Sequence, residues 1–584
     1  MKDYNKYMRE YKRRRRATLK AEKFEADDYF LTMSCISLEE AEKIGRGACN
    51  GWAVCSALGM WYGDDIGGIF DRVLTKLDSR SNVFVENLKI WGRFIVAECV
   101  RRGYKAATST SKKHTYRLIV DASGAWISIQ INMSGTTIYV KDFTGIIKTS
   151  LSDACLVYLE RDLSENLQDI AEAMQQIYVK FNDLIYEISG ASIKASTIAG
   201  YAKKIYLYLL GSNDMTWGRM RYSQMYPELP KVIMDEIRES KVYRSGLNYM
   251  PEHSKKYTGA VVAYDRRSFY PFIYSSFKLP FGKVFERDYL DVLIAQESMS
   301  NFDDDFYVVY DVEELSASLM PGGVPCIQII NSSTETEYLK DINFMGDCKF
   351  MLDTYDLKAL YENYDVNIFS VKKCYVWHRK YDNGLTMFAN KLFAIKENHK
   401  GDAIGVVAKF LINSIIGQFG ARAYRTETTI EDNRYVRSEA IYKGETGYLP
   451  VAMCVNSIGR YLLSRDIRAA KDKYLYGDSD SVLTSEPIEL LENKLGRAMG
   501  DYDVNYYVKS KFLLKKCYGL QRMNGNWRWV VSGASPDMLK QLERDTDFYA
   551  GKMITGGVIP VMFDDMTLAF KSRDFTIAKQ SMIF

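Results

Sequence analysis

Histidine is scarce in this 584-residue chain: there are four, against ten cysteines and eleven prolines. No two cysteines stand in a CxxC spacing and none is paired at short range with a histidine. That argues against structural zinc and against a disulfide framework, and for a thiol-reduced, intracellular protein. So little proline, with 26% charged residues, excludes Pro-rich, collagen-like and mucin-like classes and long disordered tracts. No apolar run is long enough for a membrane span. The uncharged stretch 122–140 alternates apolar and polar residues around a glycine-containing turn, which predicts a β-hairpin. A soluble protein without a membrane partner is expected. The first residues lack the apolar core of a signal peptide, and Glu10 and the acids that follow argue against a transit peptide.

Excess charge is also missing. The formal net charge is +4, but residues 1–20 hold nine Lys/Arg against two acids, a local +7 that leaves about −3 for the other 564 residues. Global basicity therefore indicates no partner. The basic run is either a phosphate-binding arm or a solvated amphipathic helix. What the chain does have is 47% hydrophobic residues, enough for several cores, and a length that suggests three to five subdomains.

There is no internal repeat. From about 30 to 190, short strands mix with helices, ending in one long helical run from Leu151 to about Ile188, which suits an α/β domain. Residues 190–250 read as helices broken at Gly and Pro. From Thr258 an apolar strand ends in Asp265 and runs into an aromatic-rich turn and helix. Residues 385–420 are helical, and 473–484 read as two apolar strands about an acidic pivot.

The pivot, Tyr476-Gly-Asp-Ser-Asp-Ser481, carries the chemistry. Folding does not require Asp478 and Asp480 between apolar strands, and a divalent cation relieves their repulsion. Asp265, followed by Ser268-Phe-Tyr270-Pro271, supplies a third acid. Acids carried by two strands suit a two-metal phosphoryl-transfer site. In Lys409-Phe-Leu-Ile-Asn413-Ser414-Ile-Ile-Gly417, Lys409 and Asn413 share a helix face. Such a Lys can hold a triphosphate, although taken alone it reads equally as a snorkelling surface lysine.

In this order the segments resemble the DxxSxYP, KxxxNSxYG and YxDTDS motifs of family B DNA polymerases, and more finely the protein-primed branch of small tailed phages and linear plasmids. Lys516-Cys-Tyr518 resembles that branch's KxY motif, and Tyr243-Arg244-Ser245-Gly246 its YxGG DNA-binding linker. The spacing of 144 residues from Asp265 to Lys409 fits an insertion typical of the branch.

The resemblance implies a multidomain α/β and α+β fold: an RNase H-like, exonuclease-type N-terminal domain followed by a right hand of palm, fingers and thumb with two insertions. The implied division is a basic extension 1–28, exonuclease-like domain 29–189, palm 190–277, a first insertion 278–384 contacting a priming protein, and fingers 385–420. A second insertion at 421–446, for strand displacement and processivity, is followed by palm 447–532 and thumb 533–584. Asp265 and Asp480 would be the principal ligands of two Mg²⁺ ions (Mn²⁺ substituting), with the Arg266 carbonyl contributing and Asp478 in support. Tyr270 would lie beneath the incoming sugar and exclude a 2′-hydroxyl. Lys396 and Lys409 would hold the triphosphate, Asn413 would line the same pocket, and Lys516 and Tyr518 would hold the primer terminus. Ile416 stands where the family has a Tyr, so stacking on the nascent base pair is altered; Ser479 for Thr is mild.

The family's exonuclease acids are mostly missing. Ile36 and Leu38 occupy the DxE positions, Trp91 follows Asn87 where an acid belongs, and only Tyr158 and Asp162 of YxxxD survive. One acid of four cannot hold two metals, with Glu39, Glu40 or Glu86 as the only candidates for a shifted site. The implied protein is a monomeric, DNA-templated DNA polymerase acting on primer, template and dNTPs, primed by a terminal protein, without proofreading, in the cytoplasm of a bacterial host. The alternatives are a low-fidelity or weakly templated polymerase, and a non-catalytic DNA-binding scaffold descended from one.

Overall fold

The computed structural model describes residues 28–35, 49–77, 81–107, 113–120, 126–133, 136–330, 336–346, 348–421, 424–431, 434–441, 447–534, 536–555, 558–562, 568–572 and 575–577. Residues 1–27 of the basic extension lie outside them. None of the described helices is long and apolar enough to cross a membrane.

The N-terminal part is built on a large mixed sheet. Strand Asp28–Cys35 pairs antiparallel with Cys49–Ser56 and parallel with Asn82–Val85, which in turn runs parallel to Thr136–Asp142. The expected hairpin is Trp126–Met133 against Thr136–Asp142, with Ile129 opposite Val140 and Ile131 opposite Ile138, all four fully buried. Every second residue therefore faces the core, as a half-buried strand requires.

The long helix expected from Leu151 is interrupted. A short helix, Leu151–Ala154, leads into a π-turn, Cys155–Leu159, that closes at Glu160 with φ 56°. The 23-residue helix Leu167–Ser189 starts afresh at Asn166, whose side chain accepts the Gln168 N–H at 2.8 Å. Capping by Asn satisfies the first free amides of the new helix, so the chain restarts there rather than running through. Met174, Ile177, Phe181 and Ile185 on this helix join a core shared with helices Ile198–Leu210, Ala403–Phe419 and Leu449–Ala470.

Two further sheets make up the centre. The palm sheet has the strand order Tyr502–Tyr507, Val261–Arg266, Ser481–Thr484, Tyr474–Asp478, Asn248–Tyr249. Residues 278–384 form their own antiparallel sheet around the long strands Phe306–Leu319 and Tyr364–Lys380. Two helices, Asn383–Asn398 and Ala403–Phe419, pack together above the palm. Within 421–446, strands Tyr424–Glu431 and Arg434–Ile441 pair, and the first adds to the N-terminal sheet through Thr428 opposite Leu118. Strands between Lys509 and Val531, placed by sequence in the palm, form a separate three-stranded sheet.

Candidate active site

Asp265 sits next to the end of its palm strand, opposite Ser481 on one side and Asp503 on the other. The pivot is a tight hairpin with Ser479 in the left-handed region at φ 61°. Ser479 N–H donates to the Leu247 carbonyl at 2.8 Å, and Arg266 N–H donates to the Asp480 carbonyl at 3.0 Å. These main-chain bonds fix the tip beside the Asp265 strand end.

The electrostatics reflect that proximity. Burial first, then the Asp265 and Asp478 charges, push the Asp480 carboxyl up to about 7. Burial also raises Asp265; Asp503 adds to this, while Arg528, Lys396 and Lys409 oppose it. Asp478 is partly compensated: it accepts from Asn248 Nδ2 at 3.2 Å and faces Lys516 Nζ at 3.6 Å. Among the described residues no three His, Cys, Asp or Glu side chains gather closely enough to hold an ion alone. The donors available are the carboxylates of Asp265 and Asp480 with neighbouring main chain. The Arg266 guanidinium is turned inward, ion-paired with Asp466 and stacked over Tyr502 at 4.6 Å.

A cavity of about 620 Å³ opens over these acids, lined among others by Ser268, Tyr270, Lys396, Lys409 and Asn413. Lys396, in the last turn of its helix, donates to Ser268 Oγ at 2.9 Å. Burial and the nearby Lys409 charge lower its pKa, while Glu397 opposes them. Tyr270 is held from below: a Cβ on residue 246 would fall 2.6 Å from its hydroxyl and 2.9 Å from Ser479 Oγ. Glycine at 246 is thus what lets the linker approach the site so closely.

The other linker and motif residues divide between surface and interior. Arg244, expected at a DNA-binding linker, is buried with its Nη1 2.7 Å from Asp356 Oδ2, so its charge is spent inside the protein. Tyr243 and Ser245 stay exposed. Ile416, at the place of the family's Tyr, is 8% exposed and packs in the main core. It lies about 10 Å along the helix from Lys409, where the helix has left the cavity. Tyr518 is buried against Tyr476, ring centroids 5.0 Å apart. Sequence reading missed Arg267, Glu397 and Asp503, which also line the cavity; the Arg-Arg after Asp265 was the only available signal.

In the N-terminal domain Trp91 is half-buried and stacked on Phe94 at 6.0 Å. Tyr158 is buried with its hydroxyl lacking a hydrogen-bond partner, and Asp162 is exposed. Glu86 lies near Asp142, and burial raises the pKa of both. Ile36, Leu38, Glu39 and Glu40 fall outside the described residues.

The architecture is that of a right-hand polymerase. It matches the solved phi29 DNA polymerase, in a ternary complex with primer-template DNA and incoming nucleotide substrates, with a TM-score of 0.77 at 19% identity, over 94% of this chain and 99% of that one. The DNA polymerase of Bacillus phage PZA is 25% identical over 451 residues, 71% of this chain and 74% of that protein. That of Streptococcus phage Cp-1 is 22% identical over 541 residues, 85% of this chain and 88% of that protein. The family model for DNA polymerase type B, organellar and viral, matches residues 161–489, more than half of the chain. The chain belongs to that family.

Proposed function

We propose that this chain copies a DNA template by adding dNTPs to a 3′-hydroxyl at the Asp265–Asp480 pair, using Mg²⁺, which Mn²⁺ can replace. The observation that carries this is the half-buried Asp480 on a hairpin tip bonded to the end of the Asp265 strand, where burial and the Asp265 charge push its carboxyl up to about 7. Negative charge so poorly compensated suits a divalent cation. Asp265, Asp480 and the Arg266 carbonyl would hold the ions. When bound, these lower the pKa of the attacking hydroxyl and neutralise the leaving pyrophosphate. The chain's own part is to orient. Lys396 and Lys409 hold the triphosphate, Asn413 lines the same pocket, and Lys516, whose ammonium reaches toward Asp478, positions the primer end with Tyr518. The relatives named above are DNA polymerases, and the phi29 enzyme has been solved with primer-template DNA and nucleotides.

Within this reading, initiation uses a hydroxyl of a terminal protein, supported by the KxY motif and the folded insertion at 278–384. The hairpin within 421–446, whose first strand extends the N-terminal sheet, would serve strand displacement in this reading. Labelled nucleotide should become attached to a Ser, Thr or Tyr of the priming protein; efficient use of RNA primers with no such transfer would remove this part of the proposal. Proofreading is lost: Trp91 fills an acid's place, Asp162 faces solvent, and burial favours the neutral forms of Glu86 and Asp142.

One assay addresses both sugar choice and proofreading. A labelled primer on a template should be extended with dNTPs and not NTPs. Tyr270→Val should raise NTP use relative to dNTP by about tenfold or more, because the ring that blocks a 2′-hydroxyl is gone. With no nucleotide present, the primer should keep its 3′ end in Mg²⁺ or Mn²⁺. Equal use of both sugars by the unmodified chain would remove Tyr270's role, and stepwise shortening would show a rebuilt exonuclease.

A further inference from the structure

Arg267 follows Asp265 by two residues, and its main chain is fixed at both ends: its N–H donates to the Asp501 carbonyl and its carbonyl accepts from Gly500 N–H, each at 2.8 Å. Its guanidinium, with the side chain 13% exposed, spans two parts of the molecule. One Nη lies 2.9 Å from Glu397 Oε2 on helix Asn383–Asn398, and the other pairs with Asp503 on the palm's edge strand. Glu397 is also approached by Lys400 at 3.2 Å and Lys396 at 3.6 Å. Protein atoms alone therefore join the lysine-bearing helix to the strand that carries Asp265.

A site built only to bind a triphosphate would not place Glu397 and Asp503 on its wall, since each repels the ligand. Nor is this a pair optimised for stability, because Arg267 Nε is buried without a hydrogen-bond partner and Glu397 Oε1 has only Lys396 Nζ at 3.6 Å, beyond hydrogen-bond reach. The arrangement makes sense if the carboxylate's task is mechanical. We propose that Arg267 and Glu397 form a clasp that holds Lys396 and Lys409 over the palm acids, and that the clasp sets dNTP affinity. Both are positioning residues: they act through the lysines. If the clasp is open, only the fraction of molecules with the helix in place binds nucleotide, and apparent affinity falls by that fraction. The inference rests on reading this cavity as the nucleotide site.

The test is a double-mutant cycle on Arg267→Gln and Glu397→Gln, reading dNTP KM and kcat on a primed template and equilibrium binding of a fluorescent dNTP by anisotropy. Each single change should raise KM and the dissociation constant about tenfold, the effect of losing a charge-assisted bond. Because each residue acts before the chemical step, kcat should stay within about twofold. The double change should be no worse than the worse single. If Glu397→Gln leaves KM unchanged or lowers it, simple repulsion governs and the clasp is overturned. Multiplying single effects would overturn it too. Failure of the unmodified chain to bind dNTP or extend a primer would instead sink the polymerase reading.

Discussion

Asp480→Asn is expected to reduce primer extension by on the order of a thousandfold or more while leaving the fold and DNA binding intact. The Asn side chain has the same shape, and the bond that fixes this position, Arg266 N–H to the residue 480 carbonyl, is main-chain. Only the charge that would hold a cation beside Asp265 is lost. A second readout separates this from unfolding. An acid whose folded pKa is raised from 3.8 to about 7 keeps its proton in the native state where the unfolded chain has lost it, so stability falls as pH rises through that window and the loss is complete above about pH 7. At pH 8 the variant should therefore melt at the same temperature as the unmodified chain or higher. Extension within tenfold of the unmodified chain would remove Asp480 from catalysis, and a lower melting temperature would attribute the loss to misfolding.

Asp356→Ala is expected to cost about 3–5 kcal/mol of stability, because it leaves two buried guanidinium groups without their counter-charge. Asp356 lies in the first turn of helix Thr354–Asn363, within the insertion. Its Oδ2 takes Arg244 from the linker and its Oδ1 takes Arg460 from helix Leu449–Ala470, each at 2.7 Å. Both arginines are almost fully buried. The same carboxylate thus ties linker, insertion and palm helix together, and the Arg244 and Arg460 charges would repel each other once it is gone. Denaturant unfolding should show a lower midpoint. A loss below about 1 kcal/mol would mean that water or another acid compensates the pair.

The sequence by itself determined the local elements and the chemistry of the acids. Alternation in 126–142 specified a hairpin, and the apolar runs flanking Asp478 and Asp480 specified another, because strand period and turn chemistry are local. The motif residues were legible since each depends on a few neighbours. Which way a side chain turns was not. Arg244 and Arg267 are both arginines beside a motif, yet one is buried on Asp356 and the other spans the cavity wall to Glu397, 130 residues away. Ile416 shares a helix with Lys409, but the cavity ends before reaching it. The break at Asn166 lay hidden because the apolar spacing continues across it. The hairpin at 424–441 joins strand Thr115–Val120 across some 300 residues of chain. Partners so distant meet only when the sheets pack, so tertiary structure alone decided which charges serve the site and which hold the parts together.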